Sequence, residues 1–97
     1  MIVRQTKAFK RKIKKLHKQE KLELDKAVKE VMANPSIGDK KKGDLKDIQV
    51  YKYKYKTQQY LLAYHFQDDE LILTFIEYGQ HENFYRDLKN SNLEVIR

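Results

Sequence analysis

The sequence predicts an α+β fold: a small antiparallel β-sheet with an N-terminal two-helix hairpin packed on one face and a short C-terminal helix. Three observations carry this. Apolar residues recur at helical spacing through the first third of the chain, three runs of strand character fill the second half, and the turns between those runs are short and polar. The 97 residues suit a single domain, 1–97, with one modest core. Hydrophobic residues make up 40% and charged residues 36%, which gives a folded core under a heavily charged surface.

Residues 2–5, with β-branched Ile2 and Val3, read as a first strand. Thr6 is a plausible helix cap, and Phe9, Ile13 and Leu16 follow on one helical stripe. Seven cations, Lys7, Lys10, Arg11, Lys12, Lys14, Lys15 and Lys18, coat the rest of that circumference. They form either a solvated face or a surface for a polyanion or an acidic partner, and His17 among them reads as surface. A second helix covers residues 20–33, with Leu24, Ala27, Val28 and Val31 on one face and Met32 beside them. Glu20 and Glu23 near its start and Lys29 near its end agree with the helix dipole. Asn34-Pro35 stops it, because proline excludes helical geometry from the residue before it. The connection between the two helices is very short, so they form an antiparallel hairpin.

Residues 36–47, with two glycines and alternating charge, read as a connecting loop. Three strands follow, at residues 48–56, 59–66 and 71–78, with turns at Thr57-Gln58 and at residues 67–70. In the first of them Tyr51, Tyr53 and Tyr55 point one way and Lys52, Lys54 and Lys56 the other. In the second, Tyr60, Leu62, Tyr64 and Phe66 share one face, opposite Leu61, Ala63 and His65. The third is apolar on both faces and belongs in the sheet interior. The tyrosine row therefore faces the helices as core, and the lysine row lies on the open side of the sheet. Gly79 ends the last strand, residues 80–88 form a closing helix with Phe84, Tyr85 and Leu88 as apolar contacts, and residues 89–97 are a polar tail.

A net charge of +7 favours nucleic acid, an anionic membrane surface or an acidic protein as partner, without choosing among them. Cysteine is absent, which excludes disulfide staples and thiolate zinc, and three scattered histidines make a poor metal cluster. No cofactor is expected. The chain has no run of about eighteen apolar residues and no apolar segment typical of a secretion signal, so it reads as soluble and cytoplasmic, with no membrane partner.

The order of these elements resembles the RelE/ParE superfamily of toxins from bacterial type II toxin-antitoxin systems. The pieces that carry the resemblance are Asn34-Pro35, Gly43-Asp44-Leu45, Val50-Tyr51-Lys52-Tyr53-Lys54, Tyr60-Leu61-Leu62-Ala63-Tyr64, and Tyr78-Gly79-Gln80-His81 with Tyr85 four residues later. Members of the nuclease branch cut messenger RNA on the ribosome, whereas the ParE branch poisons DNA gyrase; both are silenced by a small antitoxin. The resemblance thus implies a cognate antitoxin, with ribosome and mRNA as further partners and gyrase as the alternative. It implies catalytic roles for Lys52, Lys54, His81 and Tyr85, and RNA contacts from Lys56, His65, Arg86 and Lys46. The sequence departs from the nuclease branch at Leu61, where ribonuclease members often carry arginine.

Cleaving RNA without a metal requires a base for the 2′-hydroxyl, an acid for the leaving 5′-oxygen and cations for the phosphorane. Histidine titrates near neutrality, which makes His81 the natural proton-transfer residue and His65 a second candidate. Lys52 and Lys54 supply charge stabilisation. Tyr85 stacks on a base or relays a proton, unless it is core. Glu77 either orients His81 or pairs with a lysine.

Overall fold

The computed structural model describes residues 1–41 and 47–80 and the short strand at 95–96. Strand β1 (Ile2–Thr6) leads into helix α1 (Lys7–Lys14), then α2 (Lys18–Ala33) and a single 3-10 turn (Pro35–Ile37). Strands β2 (Asp39–Lys40), β3 (Gln49–Tyr55), β4 (Gln58–Gln67), β5 (Ile72–Gln80) and β6 (Val95–Ile96) complete the described fold. They make one sheet in the order β2-β3-β4-β5-β1-β6. The expected closing helix at 80–88, with Phe84, Tyr85 and Leu88, lies outside the described residues apart from Gln80, which is the last residue of β5.

The α+β class stands, with one qualification to the antiparallel sheet. β3, β4 and β5 form the expected meander, but β1 pairs with β5 in parallel, Ile2 opposite Ile72 through Gln5 opposite Phe75. A strand whose chain returns only after two helices and a meander arrives in whichever direction the crossover allows, and short-range pattern does not encode that direction. Two further expectations are revised. The loop at 36–47 contains β2, which pairs with Gln49 and Val50, and the tail contains β6, which pairs with Gln5 and Thr6. Strands of two residues carry no periodicity to read.

Thr6 caps α1 through its hydroxyl, which accepts from the Phe9 amide at 3.1 Å. Arg11, Lys12 and Lys14 in the last turn complement the helix dipole. α1 packs mainly on β5, and α2 on β3 and the 3-10 turn, so the hairpin spreads over the sheet and each helix covers a different strand. Between helices and sheet lies the main core of Phe9, Leu24, Ala27, Val31, Tyr60, Leu62, Tyr64, Leu73, Phe75 and Tyr78. Tyr51, Tyr53 and Tyr55 pack against it, as the alternation predicts. Fully burying a side chain of this size contributes about 2 kcal/mol.

The other face is less open than expected. Ile48, Val50, Leu61, Ala63 and Ile76 form a second buried cluster there. One irregularity in β5 helps to build it. Ala63 opposes Glu77 while Tyr64 opposes Phe75, so Ile76 is an extra residue, a β-bulge. Strict alternation would send Glu77 into the helix-side core beside Leu73 and Phe75. The bulge instead gives Ile76 and Glu77 to the second face and returns Tyr78 to the first.

A hydrogen-bonded node fastens the segment after α2 to the sheet. The Tyr64 hydroxyl donates to the Pro35 carbonyl at 2.6 Å and accepts from the Gly38 amide at 2.8 Å. Gln49 donates to the Pro35 and Gly38 carbonyls from the same spot. A β-carbon at Gly38 would stand 2.6 Å from the Tyr64 hydroxyl oxygen, so glycine is needed here for close approach. Among the described residues no helix is long and apolar enough to cross a membrane.

Candidate functional site

β3 presents Lys52 and Lys54 exposed on the second face, two residues and therefore about 7 Å apart along the strand. Lys52 opposes Leu61, which in turn opposes Gly79; Tyr53, Tyr60 and Gln80 form the next row. Adjacent strands lie about 4.8 Å apart, which puts the Gly79 backbone about 10 Å from that of Lys52. The two lysines thus share one end of the sheet with the C-terminal end of β5. Lys54, on the strand toward the sheet edge, also borders a groove of about 180 Å³ between β3 and α2, with Glu23, Lys26, Glu30, Tyr51 and Tyr53.

Leu61 is fully buried in the second cluster, directly opposite Lys52. Where the nuclease pattern would place a cation, this chain has an apolar floor beneath the lysine row.

Lys56 does not join that row. The hairpin turn is Lys56-Thr57, one residue earlier than expected, and Lys56 takes positive φ there with its ammonium 5.4 Å from the Tyr55 ring centroid. Its charge is directed toward the tyrosine side by a cation–π contact. His65 also stands apart. It lies four residues along β4 from Leu61, about 13 Å away at strand rise. There it lines a cleft of about 580 Å³ with Asn34, Lys40, Lys41, Gln49 and Asp68. Alternation assigned His65 to the lysine face correctly, but it does not reach the lysine end. His81, Tyr85, Arg86 and Lys46 lie outside the described residues.

On the helix side the tyrosines form a continuous stack, Tyr51 on Tyr53, Tyr53 on Tyr60 and Tyr60 on Tyr78, with centroid separations of 6.3, 5.8 and 5.6 Å. Tyr78 donates its hydroxyl to the Glu20 carboxylate at 2.7 Å. Burial first, and that hydrogen bond second, push the Tyr78 phenol well above its ordinary range. Burial likewise raises Tyr53, Tyr60 and Tyr64. These phenols stay protonated at neutral pH. Their place in the helix-side core makes them packing groups, not proton acceptors or base-stacking platforms.

One cation was missed in the sequence. Lys12 of α1 lies against β5, its Nζ 3.0 Å from the Glu77 carboxylate and 2.9 Å from the Tyr78 carbonyl oxygen. The signal was slight: Lys12 falls three residues after Phe9, beside the apolar stripe, where a long stem snorkels past the core. Of the two roles considered for Glu77, pairing with a lysine is observed. Among the described residues no group of three or more His, Asp and Glu side chains is placed to hold a metal ion.

Comparison with known proteins bears on this arrangement. Residues 3–89 match the family described as ParE-like toxin of type II bacterial toxin-antitoxin system. No curated protein matches the chain. Among solved structures, the fold is similar to that in the intact E. coli RelBE toxin-antitoxin complex, with 24% identity, TM-score 0.64, and coverage of 80% of this chain and 93% of that one. It is similar to the isolated E. coli RelE toxin at 24% identity and TM-score 0.63, covering 81% and 82%. A doubly substituted E. coli RelE bound to an antitoxin RelBc peptide shares 22% identity at TM-score 0.63, covering 94% of this chain and 97% of that one. At these identities the likeness is one of fold.

Proposed function

We propose, from the premise that this chain belongs to the ParE-like toxins of type II bacterial toxin-antitoxin systems, that it arrests translation as a ribosome-dependent endoribonuclease. The observation that carries the reading is the exposed Lys52–Lys54 pair at the end of the sheet where β5 hands the chain to His81. In this reading the two ammonium groups stabilise the phosphorane, His81 moves the proton, and Tyr85 stacks on a base or relays a proton. Lys56, Arg86, Lys46 and, at a distance, His65 contact the RNA backbone. No metal or cofactor takes part, and a cognate antitoxin holds the toxin silent in the cytoplasm. The RelE fold, solved in complex with RelB antitoxin, supports that partner.

Ribosomes translating a defined message should yield new transcript ends with the wild-type protein. Lys54→Ala or His81→Ala should lower cutting by roughly a hundredfold, the effect of removing one group that stabilises developing charge. Undiminished cutting by both variants would overturn the site.

Buried Leu61 favours a second reading. A site whose floor is apolar where nuclease members carry arginine also fits a non-catalytic inhibitor of DNA gyrase, the ParE-like activity. Gyrase supercoiling assayed in parallel separates the two: inhibited supercoiling with intact transcripts would replace the ribonuclease reading.

A further inference from the structure

We propose that Lys12 and Glu77 form a positioning pair for the Lys52–Lys54 site, holding the last residues of β5 in the place from which the reacting segment starts. The inference rests on the ribonuclease reading. Three features of the described structure support it.

The first is where β1 stops. β1 accompanies β5 only from Ile72 to Phe75, with the Thr6 hydroxyl reaching the Ile76 carbonyl. From Glu77 to Gln80 no described strand flanks β5 on that side, although Gly79 and Gln80 lie in the cross-strand rows of Lys52 and Tyr53, next to the rows of Val50 and Tyr51 that hold Glu77 and Tyr78. Lys12 takes over at this point. Its Nζ donates to the Tyr78 carbonyl at 2.9 Å and meets the Glu77 carboxylate at 3.0 Å, while Glu77 accepts from the Tyr78 amide. One ammonium thus ties a helix from the opposite layer to this edge of β5, which β4 flanks on its other side.

The second is the β-bulge. By inserting Ile76 it turns Glu77 out of the helix-side core and onto the face that carries Lys52. Bulges concentrate beside functional sites because they re-aim one side chain without dismantling the strand. Here the re-aimed residue is a carboxylate that is 2% exposed.

The third is Gly79. A β-carbon there would share the face of Leu61 and Lys52, and Lys12 Nζ lies 3.5 Å from its position. The Lys12 ammonium therefore lies in van der Waals reach of the Gly79 β-position, on the lysine face, although its backbone belongs to a helix on the other. With Lys12 part-exposed and Glu77 buried, the ion pair is weak evidence for stability, because apolar side chains can replace such a pair at little cost. Its location, not its strength, points to a role in function.

The test uses translating ribosomes and saturating toxin, so that the maximal cleavage rate is separated from ribosome affinity. Lys12→Met should slow maximal cleavage by about tenfold to a hundredfold, the scale expected of a small displacement at a reacting centre, with ribosome affinity changed less than about twofold. Lys12→Arg should recover most of the rate. The double variant Lys12→Met with Glu77→Leu removes the carboxylate that Lys12→Met deprives of this ammonium; it should melt above Lys12→Met alone and remain slow. A double variant that cuts at the wild-type rate would reduce the pair to packing and overturn the proposal. So would a Lys12 defect confined to ribosome affinity, which would make Lys12 a docking cation. If the wild-type protein cuts nothing, the ribonuclease reading fails and takes this inference with it. If wild type cuts and the Lys12 variants cut equally well, the positioning role alone is lost.

Discussion

The phenol of Tyr64 serves two backbone groups at once, the Pro35 carbonyl and the Gly38 amide, at a point with no exposed surface. Tyr64→Phe keeps the ring, leaves the Gly38 amide without its acceptor and leaves the Pro35 carbonyl with Gln49 alone. It should cost about 1–3 kcal/mol in urea unfolding, the desolvation penalty of an orphaned buried polar group. Gly38→Ala attacks the same node from the other side, so the double variant should lose less than the sum of the two. Additive losses would show that the contacts are independent. Much at this scale was legible in the sequence, because strand alternation sorts side chains between two faces and the tyrosine and lysine rows sorted correctly. Alternation says nothing of distance along a strand or of which residue turns. His65 was thus given its face and not its end, and Lys56 lost its place in the row when the turn fell one residue earlier. Lys12 was hidden because one lysine among seven cations on a helix has no distinguishing neighbour in sequence; its partners arrive 65 residues later in the numbering, at Glu77.

Among the elements, α1 is the shortest on which much depends. Eight residues are marginal for an isolated helix, so its ends and its packing must hold it. Thr6 does so twice. It accepts from the Phe9 amide and donates to the Ile76 carbonyl, a group at the β-bulge. Thr6→Val preserves shape and removes both bonds. It should destabilise the protein by about 2 kcal/mol, combining a lost helix cap with an unsatisfied carbonyl, whereas Thr6→Ser should remain within about 1 kcal/mol of wild type. Equal losses for Val and Ser in chemical denaturation would assign the cost to packing of the methyl group. Helices and meander were readable because each repeats its period for two turns or several residues. The bulge was not. A single inserted residue leaves no periodic trace, and in β5 both faces are apolar, so a shift of phase at Ile76 changes no visible pattern.

Across the whole molecule a charge of +7 on 97 residues sets the terms on which it meets polyanions. Each lysine that neutralises a phosphate of single-stranded RNA adds about 0.7 to the steepness with which log affinity falls against log salt. Affinity for programmed ribosomes should therefore fall steeply between low and physiological salt. A Lys52→Ala, Lys54→Ala double variant should flatten that slope by about 1.4. An unchanged slope would show that neither lysine meets phosphate. The architecture was legible as helices over a meander, with one layer of topology missing. Parallel pairing of β1 with β5 is a relation between the two ends of the described core, and local propensity carries no information about it.

That pairing has a consequence for how the protein comes into being. A ribosome issues the chain from its N-terminus, so β1, α1 and α2 emerge first, with Phe9, Leu24 and Val31 uncovered. The Thr6 hydroxyl waits for a carbonyl 70 residues further on. Until β5 has left the exit tunnel, β1 has no neighbour in the central sheet and the Lys12 ammonium has neither Glu77 nor Tyr78 to hold. A message broken before the β5 codons would yield a peptide whose α2 has β3 to pack on but whose β1 and α1 lack the strand they dock against. The timing of assembly is thereby written into strand order: β1 is closed into the sheet only after β5 has been made.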